Sequence, residues 1–123
     1  MSRDKLLEFA RRHRFAAVTT ASSSGEPQVA IVRFVTMDAL EVVFDTTDTT
    51  RKVVNLRRNA RTAVAIGWDD NQTIQIEGLA DEPAGQDLQR LRDTYSRIYP
   101  DYFRTRQAVE GLIYFRVRPT WGR

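Results

Sequence analysis

A run of hydroxyl and basic side chains occupies residues 45–59, whose sequence is DTTDTTRKVVNLRRN. It contains four threonines and the pair Arg51 and Lys52, at the point where a predicted strand ends and a short helix begins. A helix N-terminus has unpaired N–H groups and a partial positive charge, so cations in its first turn are unfavourable. A bound phosphate would resolve this conflict, because N–H groups, hydroxyls, a guanidinium and an ammonium group can all bind it.

The same residues also fit an ordinary helix start. Thr49 or Thr50 would then cap the helix, while Arg51 and Lys52 would point into water. These residues alone support the two interpretations equally. The run is not a P-loop, because the glycines of the GxxxxGK[ST] pattern are missing.

The segment QVAIVRFVT, residues 28–36, indicates a strand that is buried on both faces. Both alternating sets of side chains are apolar, and Arg33 alone interrupts one of them. Since one face of a barrel strand lies inside, an apolar outer face favours a covering helix or a second subunit. We expect Arg33 at the margin of that interface, either in a salt bridge, which is the more frequent arrangement, or facing an anionic ligand.

Six short segments are rich in β-branched and aromatic residues, which is typical of strands. They are FAAVTTA (15–21), QVAIVRFVT (28–36), LEVVFDT (40–46), TAVAIGWD (62–69), QTIQIEGLA (72–80) and LIYFRVR (112–118). Several connections are of hairpin length, which pairs neighbouring strands antiparallel. The sequence therefore predicts a mainly β fold with flanking helices, in which six largely antiparallel strands form a barrel.

Three helices are predicted around these strands. The first has Leu6, Phe9, Ala10 and His13 on one stripe, with Ser2 as its N-cap, and His13 is expected to be an ordinary packed residue. The second covers about residues 50–58, and the third begins near residue 85 and stops at the proline in position 100. Residues 101–111 fit either a last helical turn or a loop.

Length and composition limit the classes of function. With 123 residues, the chain is expected to form one domain, residues 1–123. The absence of cysteine and the single histidine argue against disulfides, thiolate nucleophiles and metal sites. A net charge of +3 suits small anions better than nucleic acid. No apolar run is long enough to cross a membrane, so a cytoplasmic protein is expected.

Several motifs, in this order, resemble the pyridoxamine 5′-phosphate oxidase-like family of FMN-binding split barrels. They are GEP (25–27), VVFDT (42–46), TTRKVVNLRRN (49–59), TAVAIGW (62–68) and IQIEGLA (74–80). The resemblance covers about residues 15–121. It implies a split β-barrel that forms a homodimer, with FMN at the subunit interface.

The resemblance also assigns candidate residues to the cofactor. Thr46, Thr50, Arg51 and Lys52 match the phosphate-binding positions of the family. Val32 and Arg33 lie on the strand that runs under the flavin ring, and Gln72, within one position, matches a glutamine that reaches the cofactor. Arg33 is our candidate for a positive group that stabilises the reduced flavin. Trp68 and Trp121 could stack near the ring, although tryptophans of this kind are more often core residues.

Two departures argue against vitamin B6 oxidation. Val35 stands where true pyridoxamine phosphate oxidases carry a lysine, and no Arg-x-His element follows before Arg123. The expected function is therefore an FMN-dependent oxidoreductase that acts on an unidentified small molecule by hydride transfer at flavin N5. The alternatives are a non-catalytic protein that binds flavin, F420 or haem, and a small barrel that binds nucleic acid through RRHR (11–14) and the arginines around Asn59.

Overall fold

The computed structural model of the protein describes residues 2–68 and 71–122, which form four helices and six strands. In chain order these are α1 (Arg3–Arg11), β1 (Phe15–Ala21), β2 (Pro27–Thr36), β3 (Val42–Thr47), α2 (Arg51–Arg58), β4 (Arg61–Ile66), β5 (Ile74–Asp81), α3 (Gly85–Ile98), α4 (Pro100–Arg106) and β6 (Leu112–Gly122). Ser2 caps α1, as predicted, by accepting a hydrogen bond from the N–H of Lys5.

The six strands close into a barrel in the order β1-β2-β3-β6-β5-β4, and every neighbouring pair is antiparallel. This confirms the predicted six-stranded barrel with flanking helices. Alternate residues of each strand point inward and form the main core, in which Val18, Phe34, Phe44, Ile66 and Ile76 are almost fully buried. Closure leaves none of the six described strands at a free sheet edge.

Helices α3 and α4 cover part of the outside of the barrel. Val35 and Val43 on the outer face pack with Leu91, Tyr95 and Tyr114 in a second, smaller core. The predicted covering helix is therefore present over the second half of β2. The prediction that both faces of the whole strand are buried is wrong for the single chain, because Val29 is 67% and Ile31 60% exposed. α3 and α4 do not extend over these two residues.

The ends of several elements differ from the sequence predictions. Pro100 ends α3 as expected, but it also begins α4, because proline is well suited to the first position of a helix. β6 continues to Gly122, since it pairs with β5 as far as Ile76. β5 begins at Ile74, so that Gln72 lies in the preceding loop.

Three other sequence expectations concern single side chains. His13 packs against the Phe9 ring at 4.8 Å, as an ordinary packed histidine would. Trp68 is 50% exposed and is therefore not a core residue. The Trp121 side chain lies outside the part that the structure describes.

No helix within the described residues is long and apolar enough to span a bilayer.

Candidate functional site

The start of α2 lacks the cap that the simpler interpretation requires. Thr50 occupies the N-cap position, but its hydroxyl donates to the carbonyl of Thr47 (3.1 Å) and accepts no bond from the helix N–H groups. Its Oγ1 also lies 3.1 Å from Oγ1 of Thr46. No acidic residue lies in the first turn. No acidic or capping side chain of α2 itself therefore offsets the positive end of the helix, and Arg51 and Lys52 add to its charge.

The start of α2 borders an open cleft of about 420 Å³, a size within the usual range for small-molecule sites. Thr50, Arg51 and Lys52 form one side of the cleft. The other lining residues come from β1 and β2, and they are Val18, Thr20, Gln28, Val29 and Ala30. The structure thus brings three of the predicted phosphate-binding residues to one cleft, whose opposite side is lined by both apolar and polar residues of β1 and β2.

Lys52 lies in a poorly solvated position within this cleft. Burial lowers its pKa below the usual 10.5, and the nearby positive charge of Arg106 acts in the same direction. The negative charge of Asp45 opposes this effect but does not cancel it. The charged form of Lys52 is therefore less stable than it would be in water, and an anion in the cleft would restore that stability.

Arg33 lies on the outside of the barrel among three aromatic rings. Its guanidinium carbon is 4.4 Å from the ring centroid of Tyr102, 5.0 Å from that of Tyr99 and 5.1 Å from that of Phe15. The expected salt bridge is not formed with any carboxylate in the described part of the chain. Cation–π contacts hold the side chain instead. Its neighbour Val32 is buried inside the barrel, so the two side chains lie on opposite faces of β2.

A buried carboxylate connects this aromatic group to the barrel. Asp45 has a side chain that is only 2% exposed and accepts hydrogen bonds from Tyr95 (3.1 Å), Tyr102 (3.1 Å) and Arg106 (2.7 Å). Burial and the charge of Asp45 raise the pKa of Tyr102 to about 12, so its hydroxyl remains a donor at neutral pH. Tyr102 therefore donates its hydroxyl to Asp45 and contacts the Arg33 guanidinium with the face of its ring.

Comparison with protein families identifies the chain. The model of the pyridoxamine 5′-phosphate oxidase family matches residues 2–123. The chain belongs to this family. Comparison with curated protein sequences gave no match. In this member of the family, Val35 is buried against Leu91 and Tyr95, so the position where true oxidases carry a lysine serves packing.

Solved structures with the same fold have diverse names. A candidate pyridoxamine 5′-phosphate oxidase from Listeria innocua is 21% identical, with a TM-score of 0.80 over 98% of this chain and 95% of that one. The haem storage protein of Vibrio cholerae is 13% identical, with a TM-score of 0.82 over 96% and 89%. An FAD-binding protein from Mesorhizobium loti is 15% identical, with a TM-score of 0.79 over 99% and 92%. At these identities the likeness shows the fold alone.

Of the predicted site residues, Val32, Arg33, Thr46 and Gln72 do not line the cleft. Gln72 is the one that lies in a loop. It is exposed in the loop between β4 and β5, at the end of the barrel where Ile66 pairs with Ala16. The cleft lies at the other end of β1, beside Thr20. Gln72 and the cleft therefore lie towards opposite ends of β1 within one chain.

Three residues of the cleft region were missed by the sequence analysis. Thr20 and Gln28 line the cleft, and the buried Asn55 of α2 donates hydrogen bonds to both. The only signal of this network in the sequence was Asn55, a polar residue on the side of α2 that Val53 and Leu56 mark as buried. Its partners are distant in sequence and could not be identified from spacing.

Proposed function

We propose that the protein binds FMN and holds the phosphate with Thr46, Thr50, Arg51 and Lys52. The observation that carries this proposal is the uncapped start of α2, where two cations and no acid border a cleft. A phosphate would accept hydrogen bonds from the first-turn N–H groups and from both cations. Thr46 and Thr50 are bonded through their hydroxyls, which can rotate towards a phosphate oxygen.

The finer proposal is an oxidoreductase that acts on a small molecule in the cytoplasm. Bound FMN would supply hydride transfer at N5, and the chain would bind and orient the cofactor. In this proposal Val32 and Arg33 belong to the strand beneath the ring, and Arg33 stabilises negative charge on it. The rings of Tyr99 and Tyr102 support this role because they fix the position of the guanidinium. An unchanged flavin reduction potential in Arg33→Ala would contradict it.

The first experiment is an absorbance scan of the purified protein after addition of FMN and desalting. We expect the wild type to retain the flavin bands, and Arg51→Ala and Lys52→Ala to bind FMN at least about tenfold more weakly, because each removes a charge-assisted hydrogen bond. Lys5→Ala, which removes an exposed lysine of α1, is the control and should behave like the wild type. A wild type that retains no FMN would contradict the proposal.

The second experiment separates an enzyme from a carrier. Oxidation of NADH or NADPH is followed with added FMN, in air and without oxygen. Turnover that depends on the bound flavin supports the oxidoreductase. Stable FMN binding without any turnover, over a range of donors, would instead support a non-catalytic flavin-binding protein.

A protein that binds haem or F420 without turnover is the second candidate. The name of the structural neighbour from Vibrio cholerae motivates a test with haem. The cleft itself is better suited to a phosphate, because Arg51 and Lys52 provide cations and the one histidine, His13, packs on α1 against Phe9. A Soret band that survives desalting would favour haem, and retained F420 absorbance would favour the deazaflavin.

Nucleic-acid binding is less well supported by the arrangement of the arginines. Arg11 forms an ion pair with Asp38 at 2.8 Å, and Arg57 forms one with Glu82 at 2.8 Å. These basic groups are therefore partly neutralised within the chain. Retention of an oligonucleotide that decreases with salt would revive this alternative.

We also propose a homodimer with the cofactor at the subunit interface. The exposed Val29 and Ile31 form an apolar surface beside the cleft that a second copy would bury. A partner chain would in addition allow Gln72 to approach the cofactor. The dimer thus accounts for two features that the single chain leaves unexplained.

A further inference from the structure

A buried amide of α2 holds the two strands that form the far wall of the cleft. Asn55 is 3% exposed, and its Nδ2 donates to Oγ1 of Thr20 (3.0 Å) and to Oε1 of Gln28 (2.7 Å). Thr20 and Gln28 are direct partners across β1 and β2. One side chain therefore connects α2 to both strands at the point where all three elements meet the cleft.

This bonding leaves donors facing the cleft. Both N–H groups of Asn55 are used, and Thr20 and Gln28 each receive one of them through an oxygen atom. Thr20 consequently keeps its hydroxyl proton, and Gln28 keeps both N–H groups of Nε2. Because Thr20 and Gln28 line the same cleft as Arg51 and Lys52, the polar groups around it are donors on both sides.

We propose that Gln28 is a further phosphate-binding residue, which donates from Nε2 to a phosphate ester held by Arg51 and Lys52, and that Asn55 is the positioning residue that fixes its amide. The inference rests on the proposed FMN site. It adds a neutral donor on β2 to the cations of α2, so that the phosphate is held from two sides. A phosphate monoester, with three oxygens and no donor of its own at neutral pH, suits such a set of groups.

The substitution Gln28→Glu separates binding from folding. A glutamate at this position can still accept the hydrogen bond of Asn55 through Oε1, so the network and the stability should be retained. It offers an oxygen instead of Nε2 to the cleft and therefore repels a phosphate. The control Gln75→Glu makes the same change in an exposed residue of β5, away from this cleft.

The measurement is the Kd of FMN and of riboflavin, obtained by titration of flavin fluorescence. Riboflavin lacks the phosphate, so the Kd of riboflavin divided by the Kd of FMN reports phosphate binding. We expect Gln28→Glu to weaken FMN by at least about tenfold and riboflavin by less than about threefold, while Gln75→Glu changes neither. Gln28→Met is neutral and cannot donate, so it should reduce the preference for FMN over riboflavin less strongly than Gln28→Glu does. It also covers the case in which the glutamate variant does not fold.

The outcomes distinguish the two proposals. A wild type that binds FMN no better than riboflavin overturns the proposed phosphate site, and this inference with it. A wild type that prefers FMN, with Gln28→Glu or Gln28→Met showing an unchanged ratio, overturns this inference alone.

The role of Asn55 is tested by Asn55→Asp. An aspartate cannot donate to Oε1, so the Gln28 amide should turn and give its N–H groups to the aspartate instead of the ligand. We expect the preference for FMN over riboflavin to fall as it does in Gln28→Glu. A folded Asn55→Asp protein that keeps the wild-type ratio would show that Asn55 does not position Gln28.

Discussion

Among single residues, Lys52 connects the structure of the cleft to a measurable property. Because burial lowers its pKa below 10.5, folding disfavours its charged form, and this cost is present at low pH and is relieved as the pH rises through the lowered pKa. A bound phosphate has the opposite preference, since it stabilises the charged form. FMN binding should therefore be strongest where Lys52 is protonated.

We predict that FMN binding by the wild type weakens as the pH rises towards 10.5, before an ordinary lysine would titrate. Above pH 7 the phosphate is already a dianion and contributes no further change. Lys52→Arg remains protonated over this range and should show a flat profile by comparison. The chain has one other lysine, and Lys5→Arg is the matched control that should follow the wild type. Identical profiles for the wild type and Lys52→Arg would contradict the proposed contact between Lys52 and the phosphate.

At the scale of single elements, the charges in the first turn of α2 oppose the helix dipole. Its first turn carries Arg51 and Lys52 without an acid, and Thr50 directs its hydroxyl to Thr47 instead of the helix. A sequence selected for helix stability alone would have an acidic residue or a capping side chain here. The arrangement therefore gives up stability in the free protein, and ligand binding would restore it.

We predict that Arg51→Glu stabilises the free protein while it abolishes FMN binding. The glutamate interacts favourably with the helix N-terminus, which is worth about 0.3–1 kcal/mol, and it repels a phosphate. The same substitution at the other end of the helix, Arg58→Glu, should destabilise the protein and leave FMN binding unchanged. Urea unfolding and FMN titration measure the two effects. A destabilised Arg51→Glu protein would mean that Arg51 has a structural role in the free chain.

Helices α3 and α4 depend on a different residue, the buried Asp45. Tyr95 on α3, and Tyr102 and Arg106 on α4, all donate to its carboxylate. The same Tyr95 hydroxyl, whose one proton is shared with Asp45, also lies 2.8 Å from the carbonyl oxygen of Arg33, and the Tyr99 hydroxyl donates to the carbonyl of Phe34 (2.6 Å). The helices are thus attached to the barrel by polar contacts to Asp45 on β3 and to the backbone of β2 at Arg33 and Phe34.

We predict that Asp45→Asn lowers the free energy of unfolding by about 2 kcal/mol. It leaves Arg106 without its ion-pair partner in a partly buried position, and losses at fully buried pairs are larger. Asp101→Asn removes a comparable but exposed ion pair with Arg104 and should have little effect. Urea unfolding compares the two variants. Equal stabilities of these two variants would contradict a special role for Asp45.

The elements could be predicted from the sequence to different extents. Alternating β-branched residues indicated all six strands, and the helix predicted over about residues 50–58 is α2, which begins at Arg51 with Thr50 as its N-cap. α4 was left open, since Pro100 both ends one helix and begins the next. The partners of Asn55 and of Arg33 could not be predicted, because their contacts join residues far apart in sequence; Gln28 is 27 positions from Asn55.

At the scale of the whole molecule, barrel closure determines which surface remains apolar. β2 lies between β1 and β3, and α3 and α4 cover its outer face only near Val35. Val29 and Ile31 therefore face solvent in the single chain, next to the cleft that Val29 also lines. In the proposed dimer, a second copy of the chain would remove this surface from water and complete the cleft, so that assembly and cofactor binding would be coupled.

We predict that Ile31→Glu converts a dimer into a monomer and weakens FMN binding, although Ile31 does not line the cleft. The charge would have to be buried in the proposed interface, whereas in the monomer it remains in water. Leu79→Glu makes the same change at a residue that is 49% exposed on β5, three strands away in either direction around the barrel, and should leave both properties unchanged. Size-exclusion chromatography with light scattering gives the mass, and desalting after FMN addition gives the bound flavin. If Ile31→Glu remained dimeric with full FMN binding, the interface would have to lie elsewhere. If the wild type itself were a monomer with full FMN binding, the cofactor site would be complete within one chain.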